Sequence, residues 1–384
     1  MFLELSQKLE SQLTNLLAQQ SFIDSIDNLT LAHYEGKHIL SCSHKLAQSL
    51  ISAPNISQKT KGILQKIKSQ YTESQTLKRK LSVYISVDHG ASDRICSERV
   101  GEQNRFTVPY EWFSDSQHIQ KTRLLCEDDD DAKVYMGILR SYLVANKLRP
   151  IEIAFRPSGS GGNSIHDRLR ECEIGEGITL CIVDSDRKWP GAALGQTAHQ
   201  LRRTFDNLDE GATVAHVIVL ECHELENILP KRLIEAALPS SSDPSVVDRI
   251  FLACELGILG ECSPNWHHDL KDGIKNYDIL ISEVPAHRTF VLSLVQRHSR
   301  RLPPVAIPCD VRAQCNKRSE CSCIFFEGFS DILLKKVASY IERITSHKLC
   351  EIMFSGNQPP CAAYWQQLSA ELLGWGCAYK RMRV

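Results

Sequence analysis

A chain of 384 residues exceeds one typical domain and falls short of three, and its composition, 42% hydrophobic and 24% charged, is that of a globular protein and excludes extended disorder. Its 45 basic and 46 acidic residues nearly cancel, so bulk charge gives no case for nucleic-acid binding and only local clusters can make one. No run approaches the roughly 18 apolar residues of a membrane span, and 15 cysteines, an odd number set mostly in apolar segments, read as free core thiols of a cytoplasmic protein.

In chain order, Leu3, Leu5, Leu9, Leu13, Leu16 and Leu17 recur mostly at helical spacing, with Glu4, Lys8 and Glu10 among them. That pattern is an amphipathic helix and not a signal peptide. Residues 1–90 are therefore expected to form a helical N-terminal region. Within it Lys59, Lys61, Lys66, Lys68, Lys78, Arg79 and Lys80 face one acid, Glu73; a solvated helix face is the plainer reading, a phosphate-contacting face the other. Val83, Ile85 and Val87 alternate as a strand does, and residues 91–120 follow as a linker.

From residue 121 to 240 the rhythm changes. Short apolar runs at 124–126, 151–155, 178–183 and 214–220 alternate with helical patterns at 132–144 and from 165, and a glycine and serine turn covers 157–163. Strands that are apolar through most of their length and alternate with helices predict an α/β fold with a mostly parallel sheet covered on both faces. Ligands of such sheets gather beyond the carboxyl ends of the strands. Residues 241–384 read as a mainly helical C-terminal region with a cysteine-rich loop.

Three acidic groups fall just past these strands: Glu127 to Asp131, Asp184-Ser185-Asp186, and Glu221, Glu224 and Glu226. Parallel strands bring their ends to one edge, and converging carboxylates are tolerated mainly where a hard cation offsets their repulsion. Taken alone, Asp128 to Asp131 reads as a helix-capping run, and the Asp-Ser-Asp pair is a weak motif. Their joint occurrence, in order and at strand ends, points to a divalent-metal site.

These residues resemble a known family. Leu-Leu-Cys-Glu127, followed four residues on by Asp131 and a helical pattern, is similar to the opening of a TOPRIM domain. The Gly159 to Asn163 turn and the Ile-Val-Asp184-Ser-Asp186 strand end are similar to its later parts. His223-Glu224-Leu225-Glu226-Asn227-Ile228-Leu229 resembles a segment of TOPRIM nucleases of the overcoming-lysogenisation-defect type and of related phage-defence effectors. The resemblance spans about residues 121 to 230.

It implies a TOPRIM-like catalytic domain hydrolysing phosphodiester bonds of DNA or RNA with Mg²⁺ or Mn²⁺, as an effector of antiphage defence. Glu127 would be metal ligand or general base, Asp184 and Asp186 metal ligands, Asp131 a ligand of a second metal and Glu226 an additional one. Asp128 stands where the family has glycine, which leaves open a non-catalytic TOPRIM-like module that binds nucleic acid or a partner.

Several other features were weighed. Lys188 and Lys231, close behind the acidic groups, are candidates to contact the scissile phosphate, Lys188 as a catalytic residue. Cys309, Cys315, Cys321 and Cys323 cluster in basic, loop-like sequence and suggest a structural Zn²⁺ site, with Cys350, His298 or His347 as a substitute ligand, although their spacing fits no standard zinc knuckle. Trp266-His267-His268-Asp269 could bind metal, but adjacent histidines cannot both face one ion on a regular element without distortion, and a polar loop is the plainer reading. No phosphate-binding loop with its lysine occurs, so a separate ATPase or sensor protein would supply energy or a trigger. The basic patches at 296–301 and 379–383 read first as solvated surface.

Overall fold

The computed structural model describes residues 1–89, 94–159, 164–174, 177–238, 245–260, 265–280, 282–298, 318–321, 323–355 and 359–382. Phe2–Leu5 (β1), Ile39–Ser41 (β2) and Val83–Asp88 (β3) are buried along almost their whole length, as strands covered on both faces are. With Cys96–Val100 (β4) and Gln103–Pro109 (β5) they form a five-stranded sheet in the order β2-β1-β3-β5-β4; the β4–β5 pair is antiparallel and the others are parallel. Lys8–Leu16 (α1), Gln20–Tyr34 (α2), His44–Ser52 (α3), Gln58–Ser69 (α4) and Tyr71–Lys78 (α5) lie between the first three strands in sequence.

The expected helical N-terminal region is thus only partly helical. Five helices are present, but so are three strands, and residues 91–120, read as a linker, supply β4 and β5. The physical reason is length: β1 has four residues, and its Leu3 and Leu5 run on into the leucine spacing of α1, so the two periods cannot be separated over so short a window.

The second sheet is the expected mostly parallel one. Thr122–Cys126 (β6), Phe155–Gly159 (β8), Thr179–Val183 (β9) and Ala215–Val219 (β10) pair in parallel in the order β10-β9-β6-β8, with the short strand Ile151–Ile153 (β7) outside that order. Successive residues of a strand face opposite sides. Leu124, Cys126, Leu180 and Ile182 join the main core with Asp129–Ala145 (α6), whereas Leu125, Cys181 and Val183 belong to a separate core with residues of Ile165–Arg170 (α7) and Gln196–Asp206 (α8).

The C-terminal region is mainly helical, as expected. Lys231–Ala237 (α9), Ser245–Glu255 (α10), Asn276–Leu280 (α11), Pro285–His298 (α12), Ile332–Arg343 (α13), Ser346–Phe354 (α14) and Ala362–Gly376 (α15) carry one two-stranded ladder, Ile274–Lys275 (β11) with Ile324–Phe326 (β12). Helices α13 and α14 pack on α6. At that crossing a Cβ on Gly137 would stand 2.2 Å from Ile341 Cγ2, so the close approach of α13 needs glycine. Cys377–Tyr379 (β13) then pairs antiparallel with β7. Trp365 Nε1 of α15 donates to Ile228 O at 2.7 Å and holds the acidic turn against this layer. Among the described residues no helix is long and apolar enough to cross a membrane, and most of the cysteines are buried.

Candidate metal centre

Because β6, β9 and β10 are parallel neighbours, the loops that leave their carboxyl ends share one edge of the sheet. Glu127 leaves β6, Asp184 leaves β9, and the 223–229 turn follows β10. Two hydrogen bonds stitch the three loops together: Asp184 N–H donates to Glu127 Oε1 at 3.2 Å, and Leu225 N–H donates to Asp184 Oδ1 at 3.0 Å. Burial, followed by the charges of Asp131, Glu127 and Glu226, pushes the Asp184 carboxyl well above the usual range. Burial and Asp186 raise Glu127 against the opposing pull of the Asp184 N–H and of Lys271.

The run from Asp128 to Asp131 divides its tasks. Asp128 is exposed and is the N-cap of α6, with Asp128 N–H donating to Asp131 Oδ2 at 2.9 Å in a capping box. Asp128 therefore has a local role. Asp129 Oδ1 accepts from Gly159 N–H at 3.0 Å, and a Cβ on Gly159 would fall 2.4 Å from that oxygen, which explains a glycine at the end of β8. Asp130 pairs with Lys133 at 2.7 Å. Asp131 alone of the four also faces the cluster: burial, then Glu226 and Glu127, push it up to about 7 although the Asp128 N–H opposes them.

Asp186 adopts the left-handed conformation, φ 52°, and its N–H donates to His223 O at 3.0 Å. Gly195 closes over it, and a Cβ there would lie 2.2 Å from Asp186 Oδ2. The Asp-Ser-Asp loop is fixed in the same way at Ser185, whose hydroxyl donates to Cys222 O.

The 223–229 turn brings the most deeply buried acids, Glu224 at 3% and Glu226 at 1% exposure. Burial, then Glu226, pushes Glu224 up to about 8. Burial raises Glu226 as well, against Lys271. Neither carboxylate oxygen of Glu226 has a hydrogen-bond partner among the described residues.

The cation in this cluster is one that sequence reasoning missed. Lys271 Nζ lies 3.1 Å from Glu224 Oε2 and 3.5 Å from Glu226 Oε1. Burial works against its charge, but Glu226, Glu224 and Asp184 hold its pKa above the ordinary lysine value. It arrives on the segment read as a polar loop, and that reading is corrected: Trp266, His267 and His268 are buried. Trp266 O accepts from His223 N–H at 2.7 Å, His268 O from Asn227 Nδ2 at 2.8 Å, and Glu224 Oε1 from Leu270 N–H at 2.8 Å. No local signal could find this, because the partners of the segment lie in a turn far back along the chain.

His223, Glu224 and Asp269 each offer a ligand atom within 4.8 Å of the others. His223 Nε2 stands 3.8 Å from Asp269 Oδ2. Burial resists a charge on His223, but Asp269 and Glu224 hold its pKa above the ordinary value. The trio joins Glu224, one of the acids read past β10, to Asp269 of the segment for which metal binding was the lesser reading; the pairing of the two segments had no signal in the sequence.

The remaining candidates lie elsewhere. Glu221 is exposed, its N–H donating to the Tyr364 hydroxyl at 3.2 Å. Lys231 pairs with Glu235 on α9 at 3.6 Å. Lys188 is exposed, and its charge lowers the pKa of His287. Cys309 and Cys315 lie outside the described residues, as do 160–163 of the glycine turn and 299–301 of the 296–301 patch. Cys321 is buried and Cys323 half-buried, with Cys321 Sγ 3.8 Å from Cys323 O.

No family model matches the chain, and neither the curated proteins nor the solved structures give a match.

Proposed function

We propose that the protein is a TOPRIM-type nuclease that hydrolyses phosphodiester bonds of DNA or RNA with a divalent cation. The observation that carries the reading is Glu226: buried among Glu127, Asp131, Asp184 and Glu224, whose own protonation equilibria are displaced upward, it has Oε1 3.5 Å from Lys271 Nζ and Oε2 without a hydrogen-bond partner among the described residues. A buried acceptor left unpaired costs about 1–3 kcal/mol, and hard oxygen donors in this number suit Mg²⁺ or Mn²⁺. Glu127, Asp131, Asp184, Asp186 and Glu226 would hold the ion, with Glu224 added to the set read from the sequence. When bound it would supply Lewis acidity for attack of water on phosphorus.

The chain's own groups have separable tasks. Glu127 Oε1 is engaged by the Asp184 N–H, which leaves Oε2 to accept a proton, and an upward-shifted carboxyl suits a general base. Lys271 offsets charge that the acids would otherwise repel from a phosphate. A role in antiphage defence, with a separate ATPase or sensor, rests on the motif resemblance alone.

The test is cleavage of DNA and RNA by purified protein with Mn²⁺ or Mg²⁺. Glu127→Ala, Asp184→Ala and Lys271→Ala should each lower the rate by about 10²–10⁴, the range of a positioned acid–base or electrostatic group. Equal cleavage by all four proteins would end the assignment.

One observation favours a second reading. Lys271 already stands between Glu224 and Glu226 as a cation, which suits a non-catalytic, internally neutralised module. That module binds nucleic acid without turnover and keeps its affinity in Asp186→Asn.

A further inference from the structure

Helix α6 begins at the carboxylates and ends, 17 residues later, about 25 Å away at a rise of about 1.5 Å per residue. At that far end two adjoining hollows of about 940 and 520 Å³ share the segment 147–151 as a common wall. Their floor is apolar, with Leu143, Leu148 and Ile151. Arg140, Lys147, Arg149 and Lys380 border one hollow, and Lys80 borders the other. These five side chains are exposed and come from three regions of the sequence. The acids alongside are Glu73 and Glu152.

A helix C-terminus attracts cations through its dipole, which accounts for Lys147 and Arg149 but not for Lys80 and Lys380. Two further observations mark the trough as a built site. Lys147 occupies the left-handed position, φ 54°, that closes α6, with Leu148 N–H donating to Leu143 O at 3.0 Å and Lys147 N–H to Val144 O at 3.2 Å. That pair of bonds is a Schellman motif, whose left-handed residue is ordinarily glycine because a side chain there is strained. The second is Tyr379, which lines the smaller hollow at 3% exposure with a hydroxyl that has no hydrogen-bond partner among the described residues.

We propose that this trough binds a nucleoside phosphate, with the phosphates held by Lys147, Arg149, Lys80 and the Tyr379 hydroxyl and the nucleoside lying on the apolar floor. Several converging cations fit more than one phosphate, and each volume lies in the range of about 300–1,000 Å³ typical of small-ligand sites. The phosphates on the outside of a duplex do not fit, because only a group that enters the trough reaches Tyr379. The ligand would bridge α5, the end of α6 and the last strand, three parts distant in sequence. The site is independent of the carboxylate cluster and of its proposed chemistry.

The experiment is calorimetric titration of the full chain with the four common ribonucleoside triphosphates, in chelator so that no divalent cation joins them to the carboxylates. At least one should bind, with adenosine, inorganic tripolyphosphate and a single-stranded 12-mer weaker. Lys147→Gly should weaken binding about tenfold, the size of one charge-assisted contact, and Tyr379→Phe should weaken it severalfold. Both variants should melt at or above the wild-type temperature, because one relieves a strained residue and the other removes an unpaired hydroxyl. Failure of all four nucleotides, tripolyphosphate or the 12-mer binding as tightly, or affinity unchanged in both variants would overturn the proposal.

Discussion

Glu226 is where the chemistry of the cluster is most exposed to a single substitution. Its carboxyl is buried, its oxygens lack hydrogen bonds, and its contact with Lys271 at 3.5 Å is shared with Glu224. Replacing it by glutamine removes a buried charge at nearly constant shape, so the metal-free protein should gain about 1–2 kcal/mol, the scale of an unpaired buried group. The same variant should lose most of the stabilisation that a divalent cation gives the wild type. Thermal melts of both proteins with chelator and with Mn²⁺ measure this; a variant less stable in chelator, yet equally stabilised by Mn²⁺, would show Glu226 to be a structural partner of Lys271. Asp128 carries the opposite lesson. In the sequence it read as a residue that could disable a site, and its N-cap geometry explains it as the start of α6, a role a carboxylate fills better than glycine does.

At the scale of elements, the crossing of α6 and α13 fixes how the helical layer seats against the second sheet. Gly137→Val would drive a side chain into Ile341, and overpacking of this kind costs about 1–3 kcal/mol. Chemical denaturation should show that loss; wild-type stability would mean that α13 shifts freely. What the sequence disclosed follows the same division. Strands β6, β9 and β10 are apolar runs, and α6 between β6 and β9 is long enough to show its own period, so the parallel sheet and the acids at its edge were legible. Strand β8 was not, because Pro157, Ser158 and Gly159 read as a turn and the apolar run at 151–155 belongs mostly to β7, outside this sheet. The first sheet was not, because β2 has three residues and β1 merges with the leucines of α1. Lys271 and Tyr379 were illegible for another reason: each gains its meaning from partners or walls that only the folded chain supplies.

The whole molecule should register the cluster in its response to pH. Asp131 is pushed up to about 7 and Glu224 to about 8, whereas carboxyls of the unfolded chain titrate near 4. Between about pH 4 and 8 the folded chain therefore retains protons that the unfolded chain has released, and stability falls as pH rises through that window. Below about pH 6.5 the histidines whose pKa burial lowers, His33, His38, His267, His268 and His287, act in the opposite sense; melting temperature in chelator should therefore decline from about pH 6.5 to about 8, and saturating Mn²⁺ should flatten the decline because it favours the ionised carboxylates. A flat profile in chelator would mean that the acids are compensated without a metal, as the internally neutralised reading of Lys271 requires. The most direct test is titration of the chelated, dialysed protein with Mn²⁺ at pH 8, followed by electron paramagnetic resonance of the free ion. Stoichiometric binding to the wild type is expected, with its loss in a Glu127→Ala, Asp184→Ala double variant that remains folded; no binding by the wild type, or equal binding by both, would contradict a metal site at these carboxylates.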